Sequence, residues 1–571
     1  MINFSRYFSV ILVGAIILVG LDSCNKGFPN LLEEYGEAQD PAPVRDKVLL
    51  IVVESLSGPA VQRLEPTNLT LMGRNALVTY GGLTDASTSF EVTSESVWAS
   101  LLTGVDGAKN GVTGTDISLL NKAMYPTIIS RLADLNEARS STFYTSSQQY
   151  AAVLGEDAAD IVIEADDDQL LAKATIGLET DSADLQVLQL SALAQVSEDA
   201  TSASYAQALE KIDLQIMTLV DAVKARTTYN NENWLIVITS AKGGMYEKDE
   251  VDYTAFGDPE RETYCMFYSP RFSTKVTPRP SANDVPFSGN AVRYTYGGGN
   301  QVVGKLSDVS KLNMGAAEDW TINLFLRYNT AGSFYYYPSF FSKRAQGFSG
   351  PGWNMFLEGD YWGFNSSVAG QVFGKVINDG QWHALTVVIR RSGATDSVFT
   401  YTDGLAESSR EVRASVNTSS LNNNAPLTLG YIAGDGNTDC DLSIANVQIY
   451  NKAFTPAEVR QYTGIVDVGE SHPFWSDLEG YWPCYSDVNT TTLTDKTGNA
   501  GNFRLQGPTS WISFNELVAF FQPPISDSFY RMVPNAVDVP FVIYQWLGVS
   551  VEQAWGIDGK SWSPNYSQVR N

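Results

Sequence analysis

The sequence predicts a multidomain chain: an α/β domain with a parallel sheet, then a β-sandwich, then a small mixed or all-β C-terminal domain. Three observations predict it. With 571 residues, 44% hydrophobic and 18% charged, the chain is several times the usual domain size and has ample apolar content for more than one core. Its apolar segments also change character along the chain, from unalternating runs separated by helical periodicity to alternating strands broken by glycine-rich turns. Finally, six of the twelve tryptophans (475, 482, 511, 546, 555 and 562) crowd into the last 106 residues.

The elements follow in order. Arg6 precedes a mostly apolar run from Tyr7 to Leu21, too short for a membrane span, that ends in Leu21-Asp22-Ser23-Cys24. This resembles the lipobox of bacterial lipoproteins, which implies a signal peptide over 1–23, lipid on Cys24 and a flexible tether over 24–46. Val48 to Val53 and Trp234 to Thr239 are unalternating runs of the kind found in buried parallel strands. Between them, Tyr205, Leu209, Ile212, Ile216, Leu219, Val220 and Val223 form one helical stripe after the Ser/Thr-rich start at 201–204. These define an α/β domain over 47–285. Trp320 to Leu326 and Ala384 to Ile389 mark a sandwich over 286–465, and the aromatic-rich remainder forms the third domain, 466–571.

Charge and composition exclude several functions. Thirty-eight basic residues against 64 acidic ones leave a formal charge of −26, which repels phosphate backbones, so nucleic acid is not a partner. Only two histidines exist, leaving little capacity for imidazole chemistry. His383 follows the tight-turn sequence Asn378-Asp379-Gly380 and reads as strand packing, while His472 beside Pro473 reads as a linker residue. Beyond Cys24, the odd set Cys265, Cys440 and Cys484, with no CxxC, argues against a disulfide framework or a zinc site.

Val48 to Glu54, Trp98 to Gly104, Asp184 to Glu198 and Trp234 to Gly244 together resemble the alkaline-phosphatase superfamily, in its type I phosphodiesterase and nucleotide-pyrophosphatase branch. That family uses two zinc ions held by Asp and His ligands to activate a Ser or Thr nucleophile. By the resemblance the first acidic ligand falls on Glu54 and the nucleophile on Ser94, or on Thr93 if the register slips by one. The middle pair falls on Ala194 and Glu198, and the last pair on Ala241 and Lys242. Alanine and a lysine ammonium offer no lone pair, and no histidine precedes residue 383, so a dinuclear centre cannot be built. The expectation is a vacated metal site, no metal and no cofactor: a pseudoenzyme in which Ser94 serves as a helix N-cap. A single hard cation on Glu54 and Glu198, or a Ser94–Lys242 nucleophile and base, are the alternatives. Lys242 is further expected to stand in for the lost cation beside Glu54.

Asp319 to Ile322, Asn378 to His383 and Ile444 to Phe454 resemble the laminin-G and concanavalin-A-like jelly rolls. No Glu-x-Asp-x-x-Glu run of a glycanase is present. Tyr336, Tyr361 and Trp362, in aromatic clusters, are candidates for stacking on sugar rings, against the alternative of core and edge packing. The C-terminal block looks like an uncharacterised domain appended to such lipoproteins. The whole arrangement resembles Bacteroidota surface lipoproteins that accompany SusC/SusD-like outer-membrane importers. It implies a lipid anchor in the outer membrane through Cys24, an outward-facing accessory role, and a glycan or peptide ligand. A periplasm-facing anchor, a phosphodiesterase- or sulfatase-like hydrolase and a purely structural subunit are the competing expectations.

Overall fold

The computed structural model describes residues 44–567 except 86–89, 136–138, 197–198, 247–251, 298–299, 316, 393–394, 414–420 and 433–438. Cys24, the signal segment, nearly all of the tether and Glu198 lie outside the described residues.

The first half is built on an eight-stranded sheet. Its strands are β1 (Arg45–Val53), β2 (Ala76–Leu83), β3 (Ser141–Thr145), β4 (Asp160–Ile163), β5 (Leu185–Leu190), β6 (Glu232–Ser240), β7 (Glu262–Tyr268) and β9 (Lys275–Val276), with a short β8 (Phe272–Ser273) outside it. The order is β4-β3-β5-β1-β6-β7-β2-β9, parallel from β4 through β6, with β7 antiparallel to both neighbours. Val48 to Val53 are buried on both faces of the sheet, which explains why the run does not alternate. Two helices matter here. Helix α1 (Ser94–Thr103) ends at Gly104 with φ 76, a left-handed cap that suits glycine. Helix α2 (Ala203–Ala225) starts at Ser202, whose side chain accepts from the Tyr205 N–H, and buries all seven stripe residues.

The second half is a sandwich of two eight-stranded sheets. Trp320–Tyr328, Trp382–Arg391 and Cys440–Tyr450 are central in one sheet, and Tyr335–Gln346, Ser349–Gly359 and Tyr361–Ser366 are in the other. Trp353, Trp362, Trp482, Tyr294 and Tyr328 fill the space between them.

Residues 466–571, expected as a compact third domain, are shared between the two cores. Leu478–Trp482 pairs with Cys440–Tyr450, Phe503–Gln506 with Val303–Leu306, and Ser510–Glu516 with Phe287–Arg293, so this stretch supplies strands to both sandwich sheets. The chain then returns to the α/β sheet. Helix α3 (Asp538–Trp546) buries Val539, Val542 and Ile543 against Val48, Leu50, Val52, Leu235 and Val237, and Asn565–Tyr566 pairs with β8. The Trp546 indole N–H reaches the carbonyls of Lys47 and Asn233, each at 3.2 Å, at the entry of β1 and β6. Much of the aromatic density of this stretch is packing surface against the two preceding cores.

Candidate functional site

Glu54 follows β1 at the carboxyl end of the parallel strands and is 4% exposed. Three neutral donors surround it: the Ser94 hydroxyl donates to Oε2 at 2.6 Å, and the Trp98 indole N–H (2.7 Å) and the Gln189 amide (3.1 Å) donate to Oε1. Ser94 and Trp98, four residues apart, share one face of α1. The Gln189 carbonyl accepts from the Thr145 hydroxyl at 2.6 Å and the Ser146 N–H at 3.3 Å, so the network spans the ends of β1, β3 and β5. Trp98 is held edge-on to Phe143 and tilted against Tyr150. Burial pushes the Glu54 carboxyl above its ordinary range, opposed by the three hydrogen bonds.

The N-cap of α1 is Thr93, which corrects the expectation for Ser94. Thr93 has extended backbone, its Oγ1 accepts from the Ser96 N–H, and the Ser96 side chain completes a capping box. The Thr93 hydroxyl also donates to the Gly114 carbonyl. Ser94 is therefore the first helical residue, and its hydroxyl is free to turn toward Glu54.

The pairing of Glu54 with Lys242 is also corrected. The Lys242 ammonium meets Glu260 Oε1 at 2.6 Å instead, in an ion pair about a quarter exposed on each side. The Ala241 N–H donates to the Val53 carbonyl, and its methyl lies in the core. Ala194 sits exposed on the short helix Ala192–Val196. Among the described residues no group of three or more His, Cys, Asp or Glu is arranged to hold a metal. Reasoning from formal charge looked for a cation beside Glu54, whereas neutral hydrogen-bond donors satisfy it. The overlooked signal was Gln189 in Leu-Gln-Val-Leu-Gln-Leu, a polar residue in an apolar buried strand that requires a partner.

In the sandwich, Tyr336 and Tyr361 are 63% and 46% exposed, but Trp362 is fully buried with its indole N–H on Thr402 Oγ1 at 2.9 Å. Trp362 is thus core and cannot stack on a ligand; strand alternation turns it to the face opposite Tyr361. His383 is gripped by Asp403 at 2.8 Å and Asp379 at 3.1 Å; these partners outweigh burial and raise its pKa. His472 is not a linker residue. It is 8% exposed among Tyr450, Tyr462 and Phe474, its Nδ1 accepts from the Phe474 N–H, and burial lowers its pKa to about 4. Cys265, Cys440 and Cys484 are all buried.

Two family models match the second half of the chain. Residues 296–460 match the concanavalin A-like lectin/glucanases superfamily, and 468–563 match Domain of unknown function (DUF4983). No curated protein matches. Among solved structures, the chain is similar to murine ectonucleotide pyrophosphatase/phosphodiesterase 5 in complex with AMP, at 15% identity over 36% of this chain, with a TM-score of 0.29. The chain spans 60% of that protein's length. It is also similar to an alkaline-phosphatase-superfamily protein from Vibrio parahaemolyticus, at 13% identity over 42% of this chain and 64% of that one, TM-score 0.32. A third similar structure is the binding domain of Paraclostridial Mosquitocidal Protein 1, at 16% identity over 32% of this chain and 46% of that one, TM-score 0.25.

Proposed function

We propose that this chain is a non-catalytic accessory at the bacterial surface: a degenerate phosphodiesterase-like α/β scaffold carrying a sandwich that binds or presents a glycan or peptide nutrient. In this reading Cys24 anchors it in the outer membrane, facing outward, beside a SusC/SusD-like importer. The observation that carries the non-catalytic half is that both carboxyl oxygens of Glu54 already accept hydrogen bonds from neutral groups of the chain. A carboxylate whose two oxygens receive a serine, an indole and an amide is a closed hydrogen-bonding unit. Where the resemblance would put the last pair of metal ligands stand an alanine, whose methyl lies in the core, and a lysine paired with Glu260, neither of which donates a lone pair to a metal.

The 2.6 Å bond from Ser94 to Glu54 is also what a serine nucleophile and its base would present, and this favours hydrolysis as the second reading. One assay separates the two. The intact protein is expected not to turn over aryl phosphates, phosphodiesters or sulfate esters with zinc, manganese or calcium added. Activity that disappears in Ser94→Ala would establish the hydrolase. Cell fractionation tests the anchor: Cys24→Ala should leave the membrane fraction, and co-purification from outer membranes should bring down the importer with the native protein.

A further inference from the structure

One patch of the sandwich gathers aromatic rings with polar groups between them. The Tyr336 and Tyr337 rings meet edge-on at 4.7 Å, Tyr337 meets Phe348 at 5.2 Å, and Phe348 meets the buried Phe356 at 4.9 Å; Phe356 in turn meets Phe373 at 5.8 Å. Phe356 forms the floor. Tyr336 and Phe373 are exposed, and Tyr337 and Phe348 are half-buried. The Tyr337 hydroxyl is hydrogen-bonded to Glu358 and Gln371, so a carboxylate and an amide stand among the rings.

Two of these rings are placed against local preference. Tyr337 and Phe348 both have φ 58, in the left-handed region that bulky side chains avoid. Phe348 occupies the two-residue turn between Gln346 and Ser349, where glycine or asparagine would fit without strain. A turn that carries phenylalanine instead spends backbone strain to put a ring on this patch, and such strain gathers at binding sites.

We infer that this patch is a saccharide platform: the rings of Tyr336, Tyr337, Phe348 and Phe373 offer apolar faces to pyranose rings, while Glu358 and Gln371 take their hydroxyls. The inference rests on the nutrient-binding reading above and specifies its ligand as a neutral glycan. Glu358 and the formal charge of −26 repel sulfated and uronate chains. Aromatic faces alternating with polar groups suit a sugar, whose own faces are apolar and whose rim is hydroxylated.

The test is affinity electrophoresis of the intact protein in gels containing neutral glucans, fructans, mannans and galactans, with sulfated and uronate polysaccharides alongside. A neutral polysaccharide should retard the native protein and the anionic ones should not. Tyr336→Ala and Phe373→Ala should each weaken retardation roughly three- to tenfold, which is the loss of one good stacking contact. Phe348→Gly relieves the strained turn, so it should raise the melting temperature while weakening binding, which separates loss of the site from loss of the fold. Retardation unchanged in all three variants overturns the platform and leaves the nutrient-binding reading standing, as does binding of a peptide digest with no retardation by any glycan. Binding of neither glycan nor peptide overturns both.

Discussion

The two histidines of this chain are expected to titrate in opposite directions, and the structure sets both signs. His472 lies among Tyr450, Tyr462 and Phe474 with its Nδ1 already accepting the Phe474 N–H and its Nε2 buried without a partner. With Nδ1 accepting, Nε2 already carries the neutral ring's hydrogen, so protonation would add its proton at Nδ1 against the Phe474 N–H, and burial depresses the pKa from 6.5 to about 4. The unfolded chain takes up the proton near pH 6.5 and the folded chain does not, so stability is held above that pH and lost as pH falls from 6.5 toward 4. The loss approaches roughly 3 kcal/mol at about 1.4 kcal/mol per unit. His383, between Asp403 and Asp379, is raised above 6.5, so its contribution is present below that value and lost as pH rises through the folded pKa. Because the chain has only these two histidines, protein labelled with ¹³C-histidine gives two imidazole signals to follow. One should reach its midpoint above 6.5, and the other should stay unmoved from pH 7.5 down to 5. His472→Asn, which keeps an acceptor for the Phe474 N–H, assigns the silent signal and should lose less stability than the native protein between pH 7 and 4. Two signals titrating together near 6.5 would refute the burial argument.

Three further outcomes are expected. Asp538 is fully buried and accepts from Arg531, the Asn535 and Lys560 backbone N–H groups and the Trp562 indole, so Asp538→Ala should destabilise the return of the C-terminal segment by roughly 3–5 kcal/mol; limited proteolysis should then cut first between residues 525 and 567. Lys343 is buried with its ammonium on the carbonyls of Val309, Asn423 and Ala425, and burial lowers its pKa to about 8. The unfolded chain therefore holds this proton to higher pH, and its term should raise native stability between pH 8 and 10.5; Lys343→Met, compared by urea unfolding, should lack that rise. Trp98→Phe removes one donor from a buried carboxylate and should cost about 1–3 kcal/mol in urea unfolding, with Glu54→Gln in the same background recovering part of it.

The parts legible in the sequence were those whose pattern is local. Val48 to Val53 lies between two parallel neighbours and reads as one uninterrupted apolar run, and the stripe from Tyr205 to Val223 packs on one face only, so each announces its element without knowledge of its partner. Pairings between distant segments were not legible. Ser510–Glu516 is antiparallel to a strand that begins at Phe287, and nothing within seven residues specifies a partner more than two hundred positions away. At the site, Glu54 and Ser94 were both singled out but their hydrogen bond was not, and Gln189 was passed over because, like Ser94 and Trp98, it carries no charge. For Trp362 stacking and core packing both stood open, although period-two alternation beside exposed Tyr361 already turns it inward. His472 was assigned from Pro473 alone, when Phe474 and Trp475 following it already signalled packing.

The return of the C-terminal segment determines how the scaffold and the sandwich relate. The sandwich begins at Phe287, fourteen residues after β8, and the chain comes back to β8 through Asn565–Tyr566, so the sandwich is enclosed between two segments of the α/β core. The face of β1 and β6 carrying Val48, Leu50, Val52, Leu235 and Val237 is covered by α3, which lies beyond the last sandwich strand. A chain ending before residue 538 would leave that face open to water, and each of those side chains contributes roughly 1.5–3 kcal/mol when fully buried. Completion of the first core therefore waits on the end of the chain, after both sandwich sheets have their strands. Such an order gives the sandwich two covalent attachments to the α/β core, and so fixes its position on the scaffold more tightly than a single linker would. That arrangement suits the proposed role, in which the sandwich would hold a binding surface at a set place on the α/β core.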